Sequence, residues 1–291
     1  VPNNQAYDPR VTLAEDRSIQ NIGLQAAQAE STALTGDIVV DGFESGDFSS
    51  PGYPNFTWGA ANSIRFVGSS PDYPAKTGNN CMVIRYPAGS DFIEQNFNLA
   101  APGADDLWMA FDMRVPPNYY HVDKPDTVGE NQKFFRIWCT TYTGHSVPGG
   151  GTKVGMGFRR MTQNDPTNGS SYYYGKIFSE FSNGGDKNTN PVTEFIRVPE
   201  DLGIWMSFIF HFKLSSSVGA NDGVFEVWRK RDGDADYTKE FEFLNQPMPP
   251  ATNGEGQYLA HADFMGFANS PYSEDTEFLF DNFVLSSAPL I

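Results

Sequence analysis

Among the strand-like runs of this chain, Trp205-Met-Ser-Phe-Ile-Phe-His-Phe-Lys-Leu214 alternates most cleanly. Met206, Phe208, Phe210, Phe212 and Leu214 fall on one side, and Trp205, Ser207, Ile209, His211 and Lys213 on the other. A period of two over this length describes a pleated strand with one buried face and one facing solvent or a ligand. That arrangement belongs to an antiparallel sheet packed on one side. Comparable runs lie at Asp37–Phe43, Ser63–Val67, Cys81–Tyr86, Phe92–Phe97, Leu107–Val115, Lys133–Tyr142, Lys153–Arg160, Tyr172–Phe181, Val224–Lys230, Tyr237–Phe243, Ala262–Phe267 and Phe278–Ser286. Turn-forming clusters separate them, among them Thr77-Gly-Asn-Asn80, Gly149-Gly-Gly151, Asn183-Gly-Gly-Asp186, Asn221-Asp-Gly223 and Arg231-Asp-Gly-Asp234.

The expected fold is all-β, a two-sheet antiparallel β-sandwich (jelly roll) over residues 37–287. Residues 1–36 form an N-terminal arm or linker, partly helical, and residues 288–291 a C-terminal tail. The arm is rich in Ala and Gln and poor in large apolar groups, so it is a weak core former. Twenty-four Phe, thirteen Tyr and five Trp supply flat side chains that pack well on a pleated surface. The formal charge of −16 argues against nucleic acid, whose phosphates require a basic surface. No stretch reaches the length of a membrane span. The start at Val1, without a charged-then-apolar leader, reads as a processed, secreted form or as a cut boundary. Cys81 and Cys139 both fall in strands, and one disulfide or two buried thiols fit equally.

Three stretches carry a resemblance. Gly203-Ile-Trp-Met-Ser-Phe-Ile-Phe-His-Phe-Lys-Leu214 followed by Ala220-Asn-Asp-Gly-Val-Phe-Glu-Val-Trp-Arg-Lys230 is similar to a strand pair of concanavalin A-like, laminin G-like and jelly-roll polysaccharide lyase domains. Asn131-Gln-Lys-Phe-Phe-Arg-Ile-Trp138 resembles the central strand of that group, where a basic residue and an aromatic line the ligand-facing sheet. Asp41-Gly-Phe-Glu-Ser-Gly-Asp47 and Phe278-Leu-Phe-Asp-Asn-Phe-Val-Leu285 look like the paired terminal strands of jelly-roll carbohydrate-binding domains. The superfamily hosts lectins, hydrolases, lyases and scaffolds, so fold alone does not assign activity.

Chemistry narrows the choice. A retaining glycosidase needs two carboxylates about 5–5.5 Å apart, and no strand here carries the Glu-x-Asp-x-x-Glu pattern of the laminarinase-like members. Glu240 and Glu242, next to Lys239, read as a solvated face. β-Elimination of a uronate polymer needs a group to neutralise the carboxylate and a base for the adjacent proton. By resemblance to jelly-roll lyases, Arg136 would grip the carboxylate, with His211 and Tyr173 transferring protons. The Arg-x-Glu-Leu-Arg, Gln-Ile-His and Tyr-Lys-Ala-Gly strands of alginate lyases are absent. Simple glycan binding needs less, because aromatic faces stack on sugars while polar groups take hydroxyls. Arg136, Trp138, Arg159 and Trp228 are the candidates, each of which would equally serve as a packing or ion-paired residue. The terminal-strand resemblance also implies a structural Ca²⁺ held by Asp41, Glu44 and Asp281, since hard oxygen ligands suit calcium.

Two functions fit this reading. One is an extracellular, polysaccharide-recognising sandwich, with lyase activity more plausible than hydrolysis. The other is a structural subunit of a filament, surface layer or virion that self-assembles through the N-terminal arm.

Overall fold

A computed structural model describes residues 37–49, 55–100, 103–120, 132–139, 148–160, 172–180, 186–189, 196–253, 258–268 and 270–291. The arm expected over residues 1–36 lies outside the described residues. Among the described residues sixteen strands form two antiparallel sheets of eight.

Sheet A runs in the order β14 (Thr238–Gln246), β13 (Gly223–Arg231), β12 (Trp205–Lys213), β6 (Asp106–Arg114), β16 (Thr276–Ser286), β4 (Cys81–Tyr86), β3 (Arg65–Gly68). The first strand, β1 (Asp37–Asp41), pairs with β16, matching Val39 to Leu285 and Asp41 to Phe283. The two ends of the fold are therefore neighbours, as the terminal-strand resemblance implied. Sheet B runs β10 (Asp186–Thr189), β9 (Tyr172–Glu180), β8 (Lys153–Arg160), β7 (Gln132–Trp138), β15 (His261–Phe267), β5 (Phe92–Leu99), β2 (Phe56–Trp58), with β11 (Ile196–Arg197) paired to β9. The short strands β2, β10 and β11 escape sequence reading because two to four residues carry no period.

The alternation in β12 is realised in full. Met206, Phe208, Phe210, Phe212 and Leu214 enter the inter-sheet core, where Phe210 stacks on Phe212 and Phe111. Across from them stand Phe134, Phe135 and Phe264 of sheet B. Each such ring contributes roughly 1.5–3 kcal/mol on burial. On β7 the alternation breaks, since Phe134 and Phe135 both enter the core. A register shift between Lys133 and Phe135 against β8 absorbs the extra residue, which is how a bulge re-aims the residues after it. Arg136 thereby lands on the outer face.

Cys81 and Cys139 are both free and buried, in different layers: Cys81 lies on the outside of sheet A with Val83, Trp205 and Leu279, and Cys139 in the central core. Burial pushes their thiols up to about 12 and about 11, so both are inert at neutral pH.

Candidate functional site

The outer face of sheet B carries a row of polar groups aligned by strand register. On β5 the outward residues are Phe92, Glu94, Asn96 and Asn98, alternating with inward Ile93, Gln95, Phe97 and Leu99. The neighbouring β15 pairs His261 with Asn98, Asp263 with Asn96 and Phe267 with Phe92. On its other side β15 matches His261 to Trp138 and Asp263 to Arg136.

At the centre Arg136 and Asp263 form a buried two-pronged ion pair. Arg136 Nε donates to Asp263 Oδ1 at 2.9 Å, and Nη2 donates to Oδ2 at 2.5 Å. Glu94 Oε2 approaches the same guanidinium at 3.4 Å. Two planar forks in register give the strongest geometry available to such a pair. Burial nonetheless pushes the Asp263 carboxyl up to about 7, against the lowering pull of Arg136. Two glycines make the fit possible. A Cβ on Gly155 would sit 2.6 Å from Arg136 Cγ, and one on Gly266 would sit 3.3 Å from Nη2. Gly266 also holds a φ of +142°, a conformation side chains rarely adopt. Its position is fixed from sheet A, because the Tyr86 hydroxyl donates to Gly266 O at 2.6 Å and accepts from Gly266 N at 3.2 Å.

Beside this pair the face opens. Phe92 and Phe267 are 39% and 50% exposed, with ring centroids 4.5 Å apart. At the other end of the row His261 Nδ1 lies 2.6 Å from Asn98 Oδ1. With that carbonyl as acceptor, Nδ1 carries the proton and Nε2 keeps its lone pair. Burial lowers the His261 pKa, with Arg136 acting in the same direction and Glu94 against it. The ring is therefore neutral at pH 7. The sequence signal for this row was present in the period-two pattern of Phe92–Leu99 and His261–Phe267, but acids and amides on a strand face look like ordinary solvated residues.

Several expected site residues are placed otherwise. His211 and Arg136, paired as catalytic partners by the resemblance, lie on opposite sheets with the core between them. His211 sits on the outer face of sheet A, its Nδ1 2.8 Å from Glu226 Oε2 and its Nε2 2.9 Å from Asp106 Oδ1. Its ring stacks on Trp108 at 4.1 Å. Trp228 belongs to that same face, stacked on Trp108 at 5.6 Å and covered by Lys239 at 4.9 Å. Trp138 does lie beside Arg136, with the guanidinium 5.4 Å from its ring, but it is fully buried and presents no face to a ligand. Arg159 and Tyr173 fall on adjacent strands of sheet B, Arg159 in register with Tyr174 and Tyr173 with Ile196; their side chains lie outside the described residues. Glu240 is buried against Arg229 rather than solvated.

The calcium set does not assemble. Asp41 accepts from Phe43 N at 2.7 Å and from Trp58 Nε1 at 2.8 Å. Glu44 accepts from the backbone N–H groups of Asn79 and Asn80 at 2.9 and 3.0 Å. Asp281 accepts from those of Lys76 and Thr77 at 2.9 and 3.0 Å, while burial pushes it up to about 7. Glu44 and Asp281 thus fasten the loop over residues 76–80, and three carboxylates aimed at N–H donors do not fit a Ca²⁺ cage. Among the described residues no three acidic, His or Cys side chains converge on a metal position.

Among the described residues no helix is long and apolar enough to cross a membrane. No family model and no curated protein matches the sequence. Solved structures do match the fold. The PL-14 alginate lyase from Aplysia kurodai aligns over 76% of this chain and 86% of its own, at 13% identity and a TM-score of 0.50. Alginate lyase vAL-1 from Chlorella virus aligns over 81% and 94%, at 9% identity and 0.45. The cellulose-induced protein Cip1 aligns over 86% and 97%, at 17% identity and 0.46. Its two packed antiparallel sheets and the alignment with the PL-14 alginate lyase give the chain the jelly-roll, concanavalin A-like sandwich fold.

Proposed function

We propose that the protein is an exported polysaccharide-recognising sandwich that lays a glycan chain along the β5–β15 row of sheet B. The observation that carries this reading is the exposed Phe92–Phe267 pair continuing into Glu94, Asn96, Asn98 and His261 on one face. Aromatic faces take the apolar side of a sugar ring, and carboxylate, amide and imidazole groups take its hydroxyls. From Phe92 to Asn98 the row extends about 20 Å along the strand, a length suited to a chain rather than to one sugar. Arg136 and Asp263 act here as positioning residues, since the two-pronged bond between them fixes the strands that bear the contact groups. The fold likeness to the PL-14 alginate lyase is in keeping with a glycan ligand.

A second reading, elimination chemistry, draws support from one feature. Neutral His261, whose Nε2 has no hydrogen-bond partner among the described residues, has the form required of a general base. Arg136 is poorly placed to neutralise a substrate carboxylate, because Asp263 already occupies its fork.

Affinity electrophoresis against neutral and uronate polysaccharides tests both. Retention by at least one glycan is expected, falling about tenfold in Phe267→Ala with stability unchanged. Absence of retention on every glycan, or retention insensitive to Phe267→Ala, overturns the recognition reading. Formation of unsaturated, ultraviolet-absorbing product by wild type but not by His261→Ala would establish the elimination reading.

A further inference from the structure

On the outer face of sheet A a polar stretch lies between two apolar patches. The outward residues of β12 run Trp205, Ser207, Ile209, His211, Lys213, and those of β16 include Leu279, Asp281, Asn282 and Val284. Trp205 and Leu279 belong to one apolar patch, and Ile209 and Val284 to another. Between the patches is a pocket of about 220 Å³.

Its floor is a hydrogen-bonded network. Thr77 Oγ1 donates to Asn282 Oδ1 at 2.7 Å, Asn282 Nδ2 donates to Asp112 Oδ2 at 2.7 Å, and the Ser207 hydroxyl donates to Asp112 Oδ1. The Tyr237 phenol bonds to Ser207 and walls one side. Asn282 reaches this position only because β16 shifts register between Asp281 and Val284, and it adopts a left-handed φ of 52° to do so. An apolar filling would serve stability as well or better. A bulge that turns Asn282 into a polar floor points instead to a ligand.

The chemistry of the lining says which ligand. Asp112 is buried, and each of its oxygens takes one donor among the described residues, whereas a carboxylate offers about four acceptor positions. Hydroxyls entering the pocket therefore meet spare acceptor capacity at the floor. The rim holds Lys76, Arg231 and Lys230. Lys76 is paired with Asp232, and Arg231 with Asp201. Lys230 donates to Ala235 O at 2.9 Å and lies 5.9 Å from the Tyr237 ring, and among the described residues it has no carboxylate partner. The pocket thus ends in an un-neutralised cation. Its volume is below that of sites for drug-sized ligands.

From this we infer that the pocket binds a single hydroxylated carboxylate of sugar size, such as a uronic acid, with its hydroxyls on Asp112 and its carboxylate at Lys230. The site lies on the opposite sheet from the glycan row and does not depend on that reading. Calorimetric titration of the full chain with glucuronate, glucose and acetate tests it. Glucuronate is expected to bind, with glucose and acetate each weaker by about tenfold or more, the size of one lost charge-assisted contact. Lys230→Met should weaken glucuronate about tenfold and leave glucose unchanged, whereas Phe267→Ala should leave both unchanged. Circular dichroism of the half-exposed Lys230→Met variant checks that it is folded. No binding of glucuronate, equal binding of glucose and glucuronate, or loss in Phe267→Ala but not in Lys230→Met would each overturn the proposal.

Discussion

Two clusters of similar make-up sit on opposite faces of the sandwich. On sheet B, Arg136 lies between Asp263 and Glu94 and beside Trp138. On sheet A, His211 lies between Asp106 and Glu226 and against Trp108. Both are a basic side chain between two acids, with an aromatic at its side. They differ in what surrounds them. The His211 cluster is bordered by an apolar patch in which Trp108, Trp228 and Ile209 pack with Leu290 of the C-terminal tail. The Arg136 cluster is bordered by exposed Phe92 and Phe267 and by Glu94, Asn98 and His261. The same local chemistry therefore acts as structure where the chain covers it and as the footing of a candidate site where it does not.

The strongest way to break this comparison is to remove Arg136. Arg136→Met leaves Asp263 buried without its counter-charge, and stability should fall by about 3–5 kcal/mol at pH 8. The loss should be smaller at pH 5, because protonated Asp263 needs no partner and its carboxyl is already pushed up to about 7. Urea denaturation at the two pH values measures both. Arg136→Met combined with Asp263→Leu should recover most of the loss, and failure to do so would mean that the pair contributes through something other than its charges.

Removing the cover of sheet A comes next. Leu290→Ala should cost about 1–2 kcal/mol, less than the value for a central core leucine because it lies at the chain end. The matching change on sheet B, Phe267→Ala, should alter stability by less than about 0.5 kcal/mol, since its ring is half exposed. Equal losses from the two, read from thermal denaturation, would erase the distinction between a covered and an open face.

A pH profile separates the two histidines. Burial lowers the pKa of His211, but its bonds to Asp106 and Glu226 outweigh that effect and the net shift is upward. A group raised in the folded state contributes stability that is fully present below its unfolded value of about 6.5 and is lost as pH rises through the folded value. The stability excess of wild type over His211→Gln should therefore shrink as pH rises above about 6.5. His261 is shifted downward, so its contribution runs the other way: a His261→Gln comparison should grow in wild type's favour as pH rises towards about 6.5 and level off above it. A flat difference for both variants would place neither ring in its assigned protonation state.

The smallest effect expected is that of chelation. With Asp41, Glu44 and Asp281 engaged by N–H donors, EDTA or added Ca²⁺ should shift the thermal midpoint by less than about 1 °C. A shift of several degrees would mean that a cation does take these carboxylates.

How much of this the sequence contained varies by level. The alternation of Trp205–Leu214, the aromatic content and the spacing of turn clusters determined a two-sheet sandwich, because repeated period-two runs with one apolar face permit little else. The adjacency of the first and last strands also followed from their likeness to paired terminal strands. Arg136 was marked by its position between Phe135 and Ile137 and near Trp138 on a predicted strand. What the sequence could not settle is which outward residues share a face, since that depends on strand order. Strand order puts β12 in one sheet and β7 in the other, and so parts His211 from Arg136. It likewise joins Arg136 to Asp263 and Glu94 across separations of 127 and 42 residues. The fate of the three calcium candidates was decided by loop backbone, whose N–H groups reach the carboxylates. Local pattern sets which side of a strand a residue occupies; only tertiary pairing decides what meets it there.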